Sequence, residues 1–410
     1  MRRPDPALVV LLAGISAALH VGKLPPALPV LRETLHVSLV QAGFLLSAVQ
    51  VAGMLLGVAI GAAADSIGPR RTMVMGLAIL CVASLLGGFA STPGGLLALR
   101  AAEGMGFLLT TLPGPGLIRR LVAPERLSRT LGLWGAYMPL GTGAALLFGP
   151  AFIAWIGWPG WWWLLGLLSL AMAVVLWLSV PAQGDRRNSV ARGGPGVRSR
   201  IVRTLRSRGP WLASLAFAVY SAQWLAVIGF LPTIYAQAGF PLASAAFATA
   251  LAAAINLVGN IASGRLLQRG WRPTALLQCG YAAMIVGAIV AFAGWGDGGA
   301  AVAITRYAGV LLFSAVGGLV PGTLFSLAVR VAPDESTVST TVGWMQQCSA
   351  LGQFAGPPLA GWVAARAGGW QATCWVTGAF ALAGMGVATA MARFLAGPGR
   401  RAPAAARGSP

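Results

Sequence analysis

Charge is what this chain lacks. Only 9% of its 410 residues are Asp, Glu, Lys or Arg, against about 25% in a typical soluble domain, and this excludes an ordinary soluble globular protein. The formal net charge of +20 would point a soluble protein toward nucleic acid, but here the charges sit in short segments between apolar runs, so no nucleic-acid partner is expected. Histidine is scarce too, with two in the chain. No metal-ligand cluster, nucleophile–base set or nucleotide-binding loop is visible, so neither a cofactor nor an enzyme is expected. The four cysteines, Cys81, Cys279, Cys348 and Cys374, fall within or at the edges of apolar segments without paired short spacing. That excludes a disulfide framework and a zinc site and leaves all four to packing.

What fills the chain instead is hydrophobic sequence, 57% of residues, gathered in runs of about 20 that match a bilayer crossing. The runs lie near 7–30, 38–64, 72–91, 94–118, 127–152, 161–180, 211–236, 242–266, 274–294, 299–328, 338–364 and 371–395. Helices are expected throughout, because lipid offers no partner to an exposed backbone amide. The first run follows only Arg2 and Arg3 and has no convincing small-residue cleavage site, so it reads as a retained span rather than a signal peptide.

The positive charges are topogenic. Of 29 Lys and Arg, 24 fall in the N-terminus, the segments near 65–71, 119–129, 185–208, 265–272 and 330–335, and the tail from Arg393. These alternate with nearly uncharged loops, so the positive-inside rule places both termini in the cytoplasm of a cell whose plasma (inner) membrane the chain crosses. The segment 184–209 carries eight Arg with Gly, Ser and Pro and reads as a cytoplasmic linker between half-domains 1–183 and 210–395. Binding of anionic lipid headgroups is the functional alternative for its basic cluster. Residues 396–410 read as a disordered tail. The fifteen Trp, including the run 161–163, read as an interfacial belt.

The halves repeat. "GKLPPALP" from Gly22 meets "GFLPTIYA" from Gly229, Arg100 meets Arg306, "PG" at 115–116 meets "PG" at 321–322, and "FGP" ending at Pro150 meets "AGP" ending at Pro357, all at offsets of 206 or 207. The expected fold is an all-α membrane protein of twelve transmembrane helices in two pseudo-symmetric six-helix halves. In this the chain resembles the major facilitator superfamily of secondary transporters. "GAAADSIGPRR", 61 to 71, resembles that family's loop between helices 2 and 3, with Gly61, Asp65, Gly68, Arg70 and Arg71 matching and Ser66 and Pro69 replacing usual basic residues. The resemblance implies a conformational latch there. Asp65 at a helix C-terminal end needs a cationic or helix N-terminal partner, for which Arg126, Arg129 or the helix start near Thr337 are candidates.

"LALRAAEGMG" resembles the family's helix-4 motif, with Glu103 where that motif has Gln. The "FLPTIYAQAG" pattern and the Gln-bearing eleventh run are similar in character to the cyanate-permease-like anion transporters. An intramembrane charge costs at least about 2.5–3.5 kcal/mol, so Arg100, Arg306 and Lys23 should face water, a partner or a substrate. At about 1.5 Å per residue all three lie in the outer half of the membrane, on helices that line the family's central cavity. For Lys23, snorkelling to the outer interface is the rival. Glu103, one turn from Arg100, is either a neutralising partner or the proton-coupling group, and His20 lies one turn from Lys23. Gln50, Tyr137, Gln223, Trp224, Asn256, Gln346 and Gln347 complete the candidate substrate-binding set, with interhelical hydrogen bonds as the plain alternative. Gly343, Gly352, Gly356 and Pro357 in the eleventh run, like Gly149 and Pro150 in the fifth, resemble a glycine-rich antiporter motif; close helix packing is the plain reading.

The expected function is therefore a monomeric secondary transporter of a small organic or inorganic anion, proton-coupled and working by alternating access. The alternative is a proton-antiport exporter of drugs or metabolites.

Overall fold

The computed structural model describes residues 5–57, 68–123, 126, 130, 134, 137–181, 196–294, 299–334 and 337–397. Among them the ordered elements are helical: α1 Pro6–Thr34, α2 Leu39–Gly57, α3 Pro69–Gly87, α4 Pro93–Leu121 and α5 Tyr137–Ser179 in the first part of the chain. After these come α6 Val197–Arg206, then α7 Arg208–Gln237, α8 Leu242–Gln268, α9 Pro273–Phe292, α10 Gly299–Val331, α11 Val338–Ala367 and α12 Thr373–Ala396. Ten of these are long and apolar enough to cross a membrane. Helix α11, 30 residues long, is outside that set, because Gln346, Gln347 and Gln353 lower its hydropathy.

Two connecting stretches have local causes for their shape. The fifth and sixth apolar runs form one 43-residue element, broken at Gly157 with φ 73° and ψ 167°. At 1.5 Å per residue α5 spans roughly 64 Å of helix, about twice the hydrocarbon thickness, so its two arms are separate crossings folded at the Gly157-Trp158-Pro159 corner. Glycine tolerates that backbone conformation and the proline has no amide to continue the ladder. The basic segment is also not loop throughout: its second half forms α6, whose Arg203 donates to Asp334 before α11 at 2.7 Å. Residues 184–195 and 398–410, to which the rest of the linker and nearly all of the tail were assigned, lie outside the described residues.

Two pairs of helices meet through glycine backbone. A Cβ on Gly76 of α3 would stand 2.6 Å from the Gly106 carbonyl oxygen of α4, and one on Gly287 of α9 would stand 2.6 Å from that of Gly309 in α10. Each pair of helices thus meets backbone to backbone at glycines, which only the absence of a side chain permits. Gly352 and Gly356 of α11 lie against the backbone of Ala218 and Ala222 in α7 in the same way, so these two glycines serve close packing.

A shared apolar cluster joins the two sets of helices at one end, and contacts continue along α2 and α11, where a Cβ on Gly53 would stand 3.1 Å from the Ala350 side chain, and at Leu146 of α5, which packs in the cluster of α7 to α12. Leu24, Leu28, Leu31, Leu45 and Leu46 share a buried cluster with Ala226, Phe230 and Ala360, and Gly43 of α2 lies against the backbone of Pro357 and Pro358. This is the end carrying the 35–38 and 238–241 turns, away from the chain termini. Toward the termini the cores part: Val9, Val10, Met73, Leu117, Ile118 and Leu176 form a cluster of α1 to α5 residues alone. Cys81, Cys348 and Cys374 are buried in the helical packing, whereas Cys279 is exposed on α9 and has no packing role.

Candidate functional site

A cluster of ionisable side chains lies inside the α1, α3, α4 and α5 packing. Its origin is local. Pro25 and Pro26 cannot donate to the carbonyls of Val21 and Gly22, and α1 is interrupted at Lys23 between its helical segments 6–22 and 24–34. Lys23 enters the space between α3, α4 and α5 from that interruption. There it donates to Glu103 Oε1, to Ser84 Oγ at 2.8 Å and to His20 Nδ1 at 3.3 Å, and its ammonium stands 4.6 Å from the Trp162 ring centroid. Arg100 Nη1 donates to Glu103 Oε2 at 2.6 Å and to the His20 carbonyl at 2.6 Å. His20, Lys23, Arg100 and Glu103 are all 0% exposed.

Two cations thus share one carboxylate in a sealed, low-dielectric space, and among the described residues one positive charge is left without an anion. Arg100 Nη2 is buried with no hydrogen-bond partner, so part of the guanidinium fork remains free to hold an oxyanion. Every partner of Lys23 and Arg100 named above belongs to α1, α3, α4 or α5, and Arg100 Nε reaches the Leu45 carbonyl of α2 at 3.5 Å. Lys23 does not snorkel. Nor is the Trp run a belt: Trp161 and Trp162 are 3% and 0% exposed, Trp161 Nε1 donates to the Lys23 carbonyl at 3.3 Å, and Trp162 roofs the ammonium. Gly87 and Gly88 let Trp162 and Trp163 approach the end of α3, since a Cβ there would stand 2.6 Å from Trp162 and 2.2 Å from Trp163.

The structure does not bring Arg306 into this cluster. It is half-buried on α10, makes no ion pair or hydrogen bond among the described residues, and its Nε is buried without a partner. The amides scatter. Gln50 donates to Gln353 of α11 at 3.0 Å and Gln347 donates to the Met54 carbonyl at 2.8 Å, both bridging α2 and α11. Asn256 donates to Tyr220 Oη at 2.9 Å and to the Ser314 carbonyl at 2.8 Å, while Trp224 donates to Ser314 Oγ at 3.3 Å. Gln223 is buried and donates to the Val219 carbonyl of its own helix, Tyr137 packs against Trp134 at 4.8 Å, and Gln346 is exposed.

Of the latch residues, Gly61 and Asp65 lie outside the described residues. Gly68 has φ +96°, which lets the chain turn into α3, and Arg70 donates to the Trp177 carbonyl while lying 4.2 Å from that ring. Arg71 is exposed. Arg126 stands 4.0 Å from Asp5, and Thr337 donates to the Asp334 carbonyl at 2.7 Å. Ser84, Ser169, Trp162 and Gln353 escape sequence reasoning as site residues, because a serine, tryptophan or single glutamine in an apolar run carries no spacing signature. His20 had one, its single turn from Lys23.

A multi-pass helical bundle with a buried charge cluster is the architecture of an integral membrane transporter. The chain belongs to the Major Facilitator Superfamily, whose sequence pattern it matches over residues 7–354; this is a family of transporters of small molecules, not of enzymes. It is 27% identical over 365 residues to monocarboxylate transporter 13 of Bos taurus, covering 85% of this chain and 80% of that one. It is also 27% identical over 286 residues to a chloramphenicol resistance protein of Streptomyces lividans, with 68% and 70% covered. In fold it is similar to a bacterial homolog of the human lysosomal transporter Spinster in an inward-facing, occupied conformation, with a TM-score of 0.77, 16% identity and 94% and 96% of the two chains covered.

Proposed function

We propose that the protein is a proton-coupled secondary transporter of a small organic anion, most simply a monocarboxylate, working as a monomer by alternating access in the inner membrane. Twelve crossings in two six-helix halves, with both termini cytoplasmic, make the end sealed by Leu28, Leu31 and Phe230 the outer one. The structure then corresponds to the inward-facing state. The observation that carries the anion reading is the imbalance at the cluster: Lys23 and Arg100 share the single carboxylate of Glu103 with no solvent exposure. An uncompensated buried charge is costly, and a cargo carboxylate on the free Arg100 Nη2 would relieve it.

Glu103 carries the coupling in this reading, because the charge that an arriving proton brings competes with Lys23 and Arg100 for its carboxylate. Arg306, Gln50, Tyr137, Gln223, Trp224, Asn256, Gln346 and Gln347 contribute polar groups for the cargo as the halves rock. The loop of Gly61, Asp65, Gly68, Arg70 and Arg71 sets the balance between states. The relative named as a monocarboxylate transporter supports the substrate class.

Purified protein in proteoliposomes should accumulate a labelled short monocarboxylate when the pH gradient drives protons the same way, and Arg100→Gln should abolish it. The relative named as a chloramphenicol resistance protein favours a second reading, export of an uncharged or aromatic compound by proton antiport. Accumulation of such a compound against the direction of proton flow, with no monocarboxylate uptake, would establish that reading instead.

A further inference from the structure

The hydrogen bonds around Lys23 admit one assignment of protons. An ammonium has three donors, and Lys23 has three acceptors: Glu103 Oε1, Ser84 Oγ and His20 Nδ1. The Ser84 hydroxyl donates to the Trp162 carbonyl at 2.7 Å, so toward Lys23 it can only accept. His20 Nδ1 must therefore be bare, and its ring proton lies on Nε2, donated to Ser169 Oγ at 2.8 Å. A second proton on His20 has one place to go, Nδ1, where it would face an ammonium 3.3 Å away. Among the described residues the one anion nearby is Glu103, whose Oε1 is 3.8 Å from Nδ1 and is held by Lys23. The groups facing His20 are Lys23 from α1, Ser84 through Lys23 from α3, Arg100 and Glu103 from α4, and Ser169 and Trp162 from α5.

We propose that His20 is the proton-binding residue of the transporter and that its protonation expels Lys23. One proton from water binds Nδ1, the Lys23 bond to Nδ1 breaks, and the imidazolium takes Lys23's place on Glu103 Oε1. No other proton moves. Lys23 is then free to hold the carboxylate of the cargo, so this inference rests on the anion-carrier reading. The charges balance: the proton raises the net charge of the cluster from one to two, and a monoanion returns it to one. Proton and anion therefore load together because each removes the electrostatic penalty of the other, which is reciprocal linkage.

Lys23 is the sole lysine of the chain, so its release can be read directly. The purified protein is treated with a small amine reagent at about pH 7.5 and about pH 5.5, so that proton activity differs about a hundredfold between the two arms. Lys23 modification is scored by mass spectrometry against a lysine-containing reference peptide in the same tube. A one-proton exchange can change by up to about a hundredfold over two pH units; a rise of roughly tenfold in the Lys23 ratio on acidification is expected, and it should vanish in His20→Gln, whose amide can still accept from Lys23. A ratio that is flat or falls in the unsubstituted protein overturns the proposal. In proteoliposomes His20→Gln should lose accumulation driven by a pH gradient and the pH dependence of whatever exchange remains; accumulation at the unsubstituted level would equally overturn it. If the unsubstituted protein moves no anion, the carrier reading fails, and the labelling ratio still decides whether His20 controls Lys23. Should His20→Gln fail to fold, the unsubstituted protein's ratio decides alone.

Discussion

Glu103→Gln should be the most damaging single substitution in the buried cluster. The carboxylate accepts from Lys23 and, at 2.6 Å, from Arg100, and an amide of the same shape removes the only anion there. The site passes from one uncompensated positive charge to two, and breaking a buried ion pair in this way costs about 3–5 kcal/mol. Lys23→Met has a different consequence. It leaves Arg100 and Glu103 as a neutral pair and forfeits the bonds to Ser84 and His20, a loss of about 1–3 kcal/mol. The double variant returns the site to one uncompensated charge, so its loss should fall short of the sum of the singles by at least about 2 kcal/mol. Unfolding in detergent micelles, followed by tryptophan fluorescence with Trp162 4.6 Å from the ammonium, measures the cycle. Single effects that add within about 0.5 kcal/mol would show that the two groups are not coupled and refute the charge argument.

Gly43→Ala would place a Cβ 2.6 Å from the Pro357 carbonyl oxygen and Pro358 Cα. Neither backbone atom can step aside, and overpacking of about 1–3 kcal/mol should hold the sealed end open, raising reagent access from outside and slowing transport roughly tenfold. Asp65→Asn should lower turnover while leaving equilibrium substrate binding in place; a defect confined to binding would remove the latch from the mechanism. Single cysteines at positions 190 and 402 should react with impermeant reagents only from the cytoplasmic side, as the 24-to-5 distribution of Lys and Arg requires.

The helices and their positions were legible because lipid imposes a simple rule, a long apolar run with its amides satisfied internally. Most of the apolar runs of the sequence correspond within a few residues to helices of the structure. The corner at Gly157 falls in the gap between the fifth and sixth runs, where the Gly and Pro of "GWPG" signal a turn, and only the backbone angles show that the helix resumes at once beyond it. The i, i+3 spacing of Arg100 and Glu103 similarly foretold an ion pair, since residues one turn apart share a helix face.

Which way that face points is another matter. Composition and spacing assign Arg100, Lys23 and Arg306 to comparable depths, but depth along a helix does not fix rotation about it. Rotation is set by packing, and here Gly87 and Gly88 let Trp162 and Trp163 approach α3, while the proline pair after Lys23 interrupts α1 where its side chain must turn inward. That convergence of α1, α3, α4 and α5 joins His20, Ser84, Ser169 and Trp162 to the two cations and leaves Arg306 apart. The sequence by itself determined the solvent of this protein, the number of its apolar runs, its repeat and the presence of charges that must be neutralised. Only the tertiary structure decided which charges neutralise one another, because a buried ion pair depends on contacts of a few ångströms between residues as distant as Lys23 and Glu103, and nothing local in a sequence measures those.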